Sequence, residues 1–354
     1  IKHNKMKKQL IYKDAVLKIY DLPVLYFPKF FHPDPSVKRQ SGILQPEINS
    51  SNNLGNSVTL PYFKVISNNK DLTLNPTLFE NSTSMLTTEY RAINEKNKIL
   101  ADVGYVNGYK STTTNKKSSL SHYFLDLDHD LQLEDFNSSD LKLSIKKVSN
   151  DTYLKIFDQH ITKSSLRPEN FDNLNSSLKL FLNHEDFIFE TGIQSFEDLQ
   201  IENKSDRYQY NLPYYNYDKS VEQNYFDGTI NFNSNGNNYL SETNKLETNI
   251  INNFIYNSTD YISDFGLKNN FSLSLKNLNS IGKKTSQYKT SPQMEIASLF
   301  NVDFSMPLEK KSNKSDNMLI PKISFRINPS EMKNYSSSEN KIDAGNVFAL
   351  NRLG

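Results

Sequence analysis

Apolar and polar residues alternate with a period of two along most of the chain from about residue 56 onward. Leu125, Leu127, Leu131 and Leu133 share one side of an extended segment with His129, while Asp126, Asp128, Asp130 and Gln132 take the other. The same rhythm recurs in Leu141-Lys142-Leu143-Ser144-Ile145, Leu178-Lys179-Leu180, Phe271-Ser272-Leu273-Ser274-Leu275 and Phe300-Asn301-Val302-Asp303-Phe304-Ser305-Met306. Successive side chains of a strand point to opposite faces, so each run predicts a strand with one apolar and one polar face. About fifteen strands are predicted in this way. Clusters of Asn, Ser, Asp and Lys at Asn49 to Asn53, Thr112 to Ser119, Asn233 to Asn238 and Lys310 to Asn317 predict turns and loops between them. Helical periodicity is weak, and Val221 to Phe226 is too short to change the class, which is all-β.

Two architectures bury such strands. In a sandwich or solenoid the apolar faces meet inside; in a membrane barrel they look out at lipid. The opposite face is persistently polar, as in Asn301/Asp303/Ser305 and Lys322/Ser324/Arg326, which suits a hydrated lumen as well as bulk water. No exact repeat is visible, which counts against a solenoid.

Composition narrows the class without choosing between these two. The chain has 354 residues, of which 36% are hydrophobic and 23% charged, enough to bury a core. No run approaches eighteen consecutive apolar residues, so a helical membrane span is not predicted, whereas a barrel keeps mean hydropathy low because only alternate residues face lipid. Cysteine is absent, which excludes disulfides and thiolate chemistry within this stretch. A net charge of +1 argues against nucleic acid as a partner, and the short basic clusters at Lys5 to Lys8 and Lys116-Lys117 read as solvated loops. Ile1 is not a start residue and no secretory leader follows it, so the chain is expected to be a piece of a longer protein.

Candidate chemistry is sparse. Asp126, Asp128, His129, Asp130, Glu134 and Asp135 form the densest set of metal-ligand types, but a calcium loop needs glycine at its sixth position, where Leu131 stands. A polar lumen or solvent face is the better reading. The six histidines show no ligand spacing, and neither G-x-S-x-G nor a glycine-rich phosphate loop occurs. No catalytic residue, metal site or cofactor is predicted, and the chain is not expected to be an enzyme.

Prolines are more telling. Leu22 to Leu44 combines Pro23, Pro28, Pro33 and Pro35 with Val24, Tyr26, Phe30 and Phe31, and ends in the polar turn Lys38-Arg39-Gln40-Ser41-Gly42. Such a segment is held extended, cannot be helical, and carries apolar surface that needs a partner. Pro46 and Pro61 fall within or beside the strand-like runs Gly42 to Ile48 and Ser57 to Ile66. There a proline removes a ladder donor and belongs at a strand end, an edge or a weak seam.

The Leu22 to Leu44 segment resembles the junction between periplasmic domain and barrel in the LPS-assembly protein LptD (OstA/Imp) family. Further islands follow in order: Leu60-Pro61-Tyr62-Phe63, Asn69-Lys70-Asp71-Leu72-Thr73-Leu74-Asn75-Pro76, Glu89-Tyr90-Arg91, Asn150-Asp151-Thr152-Tyr153-Leu154, Leu319-Ile320-Pro321-Lys322 and Asp343 to Arg352. Each is modest alone; the ordered set is fairly specific. The resemblance implies that residues 1–36 end a periplasmic β-jellyroll and that 37–354 form the first half of a large antiparallel transmembrane β-barrel in the outer membrane. It implies lipopolysaccharide (LPS) transport and insertion into the outer leaflet through a lateral seam between the first and last barrel strands. Pro46 and Pro61 would act there as strand breakers of the lateral gate, and Pro23, Tyr26, Pro28, Pro33, Lys38, Arg39 and Gly42 would form the junction. The partners implied are lipopolysaccharide, an LptE-type lipoprotein plug, a periplasmic LptA-type bridge and outer-membrane lipids. The family's jellyroll-to-barrel cysteines have no counterpart here. The alternatives are a general porin or receptor-type barrel, against which the proline-rich junction speaks, and a secreted soluble β-rich adhesin-like protein.

Overall fold

The structure is a computed structural model that describes residues 1–329 apart from Lys7, Tyr20, Pro35, Lys38, 112–115, Lys204, 224–226 and 313–314. The described residues are almost entirely antiparallel β, as the alternation predicts. They fall into two compact units, 1–127 with 145–171, and 128–144 with those from 172 onward.

The first unit begins with a three-stranded sheet of β1 (Lys2–Asn4), β2 (Gln9–Ile19) and β3 (Leu22–Pro33). The proline-aromatic run is therefore a strand, paired along β2 from Gln9↔Pro33 to Ile19↔Leu22. Next come β4 (Gly42–Ile43), β5 (Glu47–Ser51), β6 (Gly55–Thr59), β7 (Tyr62–Ser67), β8 (Lys70–Phe79), β9 (Ser84–Ile93), β10 (Asn97–Lys110) and β11 (Lys117–Asp130). The end of β12 (Ser138–Val148), from Ile145 on, leads into an insertion of this unit holding two single-turn helices, α1 (Tyr153–Ile156) and α2 (Asp158–Ile161).

The second unit is an antiparallel meander of β13 (Asn173–Asn183), β14 (Phe187–Asp198), β15 (Tyr208–Gln223), β16 (Gly228–Ser241) and β17 (Lys245–Ser258), then β18 (Tyr261–Ile262), β19 (Lys268–Lys283) and β20 (Gln293–Ser305). β21 (Leu308–Ser312) and β22 (Ser315–Leu319) make a separate hairpin, and β23 (Lys322–Ile327) returns to pair with β20. Among the described residues no helix is long and apolar enough to cross a membrane.

Burial follows an inverted rule. In the first unit Ser57, Thr59, Asp71, Thr73, Thr77, Thr87, Asp102 and His122 are buried, while Val58, Leu60, Leu78, Leu86, Val103, Tyr105 and Tyr123 on the opposite face are exposed. Leu78 is 69% exposed and its neighbour Thr77 only 3%. Large apolar patches of this kind are rare on water-facing surfaces, so this face is one that lipid or another apolar phase would cover. The second unit repeats the rule, with Leu178, Ile250, Ile296, Phe300 and Phe325 exposed, and Lys179–Glu190 (2.9 Å) and Arg326–Asn301 (3.2 Å) joined on the polar face.

Several predicted loops are strands instead. Asn233 to Asn238 lies in the middle of β16, and its amides are satisfied sideways. Asn233 donates to Asp218 at 2.6 Å, Asn235 to Asn233 at 3.2 Å, and Asn211 to Asn237 at 3.1 Å. Amide pairing across strands to Asp218 and Asn211, and along β16 between Asn235 and Asn233, replaces the local backbone bonds that usually draw Asn into turns. Of Lys310 to Asn317, residues 310–312 lie in β21 and 315–317 in β22, with 313–314 outside the described residues, and Asn49 to Ser51 belongs to β5. Thr112 to Ser119 ends in β11, which begins at Lys117. Conversely, β11 stops at Asp130, so the predicted continuation through Leu131 and Leu133 lies outside the strand and leads into a turn at Glu134 and Asp135. Val221 to Gln223 extends β15, and the rest of that short segment lies outside the described residues, as does the Asp343 to Arg352 island.

Candidate functional site

The first strands are built to pair poorly. Pro46 separates β4 from β5, and Pro61 separates β6 from β7. β4 pairs with β7 through only Gly42↔Phe63 and Ile43↔Tyr62, whereas β5 pairs with β6 from Glu47↔Thr59 to Ser51↔Gly55. Between these ladders Leu44 N donates to Pro61 O (2.8 Å), and on the other side Leu60 N donates to Pro76 O (3.1 Å). Pro76 lies in β8 opposite this gap, since Thr59 faces Thr77 and Tyr62 faces Leu74. Three prolines thus cross three successive chain passes at one level, each removing a donor. Pro76 escaped the sequence reading as a strand-weakening residue. The signal that would have found it is the equal spacing of fifteen residues from Pro46 to Pro61 to Pro76.

Beside this band lies a cleft of about 510 Å³. Ala15, Val16, Leu17, Phe27, Phe30 and Phe31 of the β2–β3 sheet line it together with the segment Gln40 to Pro46. Among the predicted junction residues, Pro23, Tyr26, Pro28 and Pro33 all lie in β3, and the Tyr26 hydroxyl donates to Asp14 at 2.6 Å. Gly42 opens β4 and lines the cleft. Lys38 lies outside the described residues.

Arg39 is fastened to the polar face. Its guanidinium donates to Asn68 O at 2.7 Å, pairs with Asp71, and sits over the Phe63 ring. Arg91 reaches the other oxygen of Asp71 at 2.7 Å and extends to Glu89 at 3.5 Å. One buried carboxylate is therefore shared by two guanidiniums, an arrangement that repays its desolvation only because both oxygens are engaged. This chain of charge ties the segment before β4 to β8 and β9.

The insertion after β12 packs on the same polar face. Tyr153, Leu154, Phe157, Ile161 and Leu166 are fully or almost fully buried, against Phe79, Tyr109, His122 and Phe124. The His122 ring stacks on Phe124, and its Nδ1 is 2.8 Å from the Tyr153 hydroxyl. Its Nε2 approaches Asp102 Oδ1 at 3.2 Å without hydrogen-bond alignment. Gly104 makes room for this contact: a Cβ there would stand 2.3 Å from His122 Cε1. Burial and the Asp102 charge push the Tyr153 phenol well above its ordinary range, so it stays protonated. His160 of α2 is 3.0 Å from Ser57 Oγ, and burial lowers its pKa. The Asn150 to Leu154 island thus begins a docked insertion. Sequence reasoning could not have placed it, because its partners are 30 to 100 residues away.

Among the described residues no group of three His, Asp or Glu side chains could hold a metal ion. Asp126, in β11, pairs with Lys146 of β12 at 3.1 Å.

No family model matches the chain. Similarity to curated proteins is nevertheless consistent. The chain is 33% identical over 145 residues to the LPS-assembly protein LptD of Idiomarina loihiensis, covering 40% of this chain and 18% of that protein. It is 36% identical over 94 residues to that of Pseudoalteromonas translucida, covering 27% and 12%. Against that of Cupriavidus necator it is 26% identical over 188 residues, covering 52% and 21%. The matched segments thus span about a fifth or less of these relatives' length. In sequence, the chain is related to the LPS-assembly protein LptD family, and it matches a part of those proteins.

Proposed function

We propose that this chain is part of an outer-membrane machine that moves lipopolysaccharide to the outer leaflet. The observation that carries this reading is the apolar cleft between the β2–β3 sheet and residues 40–46, which opens directly beside the band of prolines. Acyl chains held in the cleft would meet strands whose ladder is already interrupted, so parting them breaks few hydrogen bonds. The exposed apolar face of the remaining strands supports lipid contact, and the polar face supports a hydrated lumen.

On this reading residues 1–36 end a periplasmic β-jellyroll, and residues 37–354 contribute the first half of the barrel. Pro46 and Pro61 are the gate's strand breakers, and Pro23, Tyr26, Pro28, Pro33, Lys38, Arg39 and Gly42 form the junction. An LptA-type protein delivers lipopolysaccharide from the periplasm, and an LptE-type lipoprotein fills the polar lumen. The process is transport, with no bond made or broken in the lipid.

The test replaces Pro46 and Pro61 together with threonine in the full-length protein and measures surface lipopolysaccharide. Restored ladder donors should strengthen the seam and reduce export. Unaltered export would remove the gate assignment, and unaltered surface lipopolysaccharide on depletion of the whole protein would remove the function.

A further inference from the structure

The hairpin of β5 and β6 has a break in pairing at each end. Pro46 stands just before Glu47, its first residue, and Pro61 follows Leu60 just past Thr59, its last. Its own ladder runs from Glu47↔Thr59 to Ser51↔Gly55, yet it joins β8 through three rungs, Ser57↔Phe79, Val58↔Leu78 and Thr59↔Thr77. Near its tip Asn56 donates to Glu80 Oε2 from its backbone N (3.3 Å) and its Nδ2 (3.0 Å). A hairpin so bounded can part from its neighbour as a unit while its internal ladder stays whole, a local opening rather than global unfolding.

The insertion after β12 reaches both strands of this hairpin. His160 Nε2 in α2 is 3.0 Å from Ser57 Oγ in β6, and its ring lies 4.9 Å from that of Phe79, the residue paired with Ser57 in β8. Lys163, just past α2, pairs with Glu47 in β5. Between the hairpin's turn and the helices a cleft of about 310 Å³ is lined by Ser50, Asn52, Asn53, Lys155, Asp158 and Gln159, so the insertion lies along the hairpin from strand to turn. The Lys163 pair is exposed and contributes little; the His160 contact is partly buried and is the main fastening. Both project from a body that Tyr153, Leu154 and Phe157 hold in place by their own burial.

We propose that the insertion is a catch on this hairpin: docked, it holds β5 and β6 against β8, and the interrupted strands part for lipid only when His160 and Lys163 let go. The two are positioning residues that act through the strands. Prolines at both ends of the hairpin lower the cost of parting it, and that same weakness would leave the seam partly open at rest. Fastenings from a separately packed body restore closure without restoring the ladder. The inference rests on the transport reading and adds its control.

One experiment locks the catch in the full-length protein. Glu47→Cys with Lys163→Cys is bridged by a short thiol-specific reagent that reductant cleaves, with the native protein treated alike. Bridging should cut delivery of new lipopolysaccharide to the surface by about tenfold or more, one decade in the open fraction, and reduction should restore it. Native delivery in the bridged protein would overturn the catch. A second experiment releases it and needs no transport. Nitroxides at Val58→Cys and Leu86→Cys, both exposed on the apolar face, report how far the hairpin stands from β9. His160→Ala with Lys163→Ala removes one hydrogen bond and one exposed pair, and should raise the population at longer separation by roughly tenfold. A distance distribution identical to that of the labelled parent would overturn the catch whatever export does. Failure of the transport reading shows separately, as unaltered surface lipopolysaccharide on depletion of the whole protein.

Discussion

Replacing Phe157 with alanine should undock the insertion without unfolding the strands beneath it. Phe157 is fully buried, with ring centroids 5.0 Å from Tyr153, 5.9 Å from Tyr109 and 6.3 Å from Phe79. Truncating such a side chain costs about 3–5 kcal/mol, through lost transfer energy and the cavity left behind. At about 1.4 kcal/mol per decade this shifts the docking equilibrium by roughly two to three and a half orders of magnitude. Nothing local compensates, because α1 and α2 have four residues each and cannot persist without tertiary contacts. The strands keep their ladders, so the loss falls on the insertion alone. Amide exchange across residues 152–163 should accelerate, and trypsin should cut at Lys155 and Lys163, while exchange in β8 to β10 stays slow. A control separates packing from surface charge. Lys163→Gln removes an exposed pair with Glu47, worth at most about 1 kcal/mol, and should leave the insertion protected. Unchanged exchange and cleavage in Phe157→Ala would refute the packing account of docking.

Gly104→Ala should loosen the same insertion from the opposite side, since the new Cβ would stand 2.3 Å from His122 Cε1 and 2.9 Å from the Tyr153 hydroxyl. Faster exchange at Tyr153 and Leu154 is the expected result, and native protection would show that the strand shifts to accommodate the methyl. Docking should also weaken with acid. Burial depresses the His160 pKa below its ordinary value of 6.5, against an opposing pull from Glu47, so the docked state favours the neutral ring. Its contribution is complete above about pH 6.5 and is lost as pH falls from there through the depressed value, because the undocked state then binds more protons. Exchange in the insertion measured from pH 8 to pH 5 should rise at the acid end. His160→Gln should flatten that profile, and an equally steep rise in the variant would assign the acid sensitivity to another group.

Alternation made most strands legible because a strand's period of two is a local property. Lys142 and Lys179, for example, declare their face by their neighbours alone. It failed in β16, where Asn233 and Asn237 look like a loop until the strand beside them supplies side-chain partners. It also overran β11, since Leu131 and Leu133 continue the rhythm after the ladder has turned. The proline positions were legible, but the level at which Pro46, Pro61 and Pro76 meet depends on register. Register is a relation between strands.

By itself the sequence determined the all-β class, the extended proline-aromatic strand, the absence of thiol chemistry and the ordered islands that mark its relatives. These depend on residue type and spacing within a few positions. Tertiary structure alone decided which face of each strand is buried, because alternation is symmetric between an apolar core and an apolar exterior. It also placed Tyr153 on His122 and gave Arg39 and Arg91 a common carboxylate in Asp71. Each of those pairings joins residues from different strands or loops, and only the folded sheet brings them within reach.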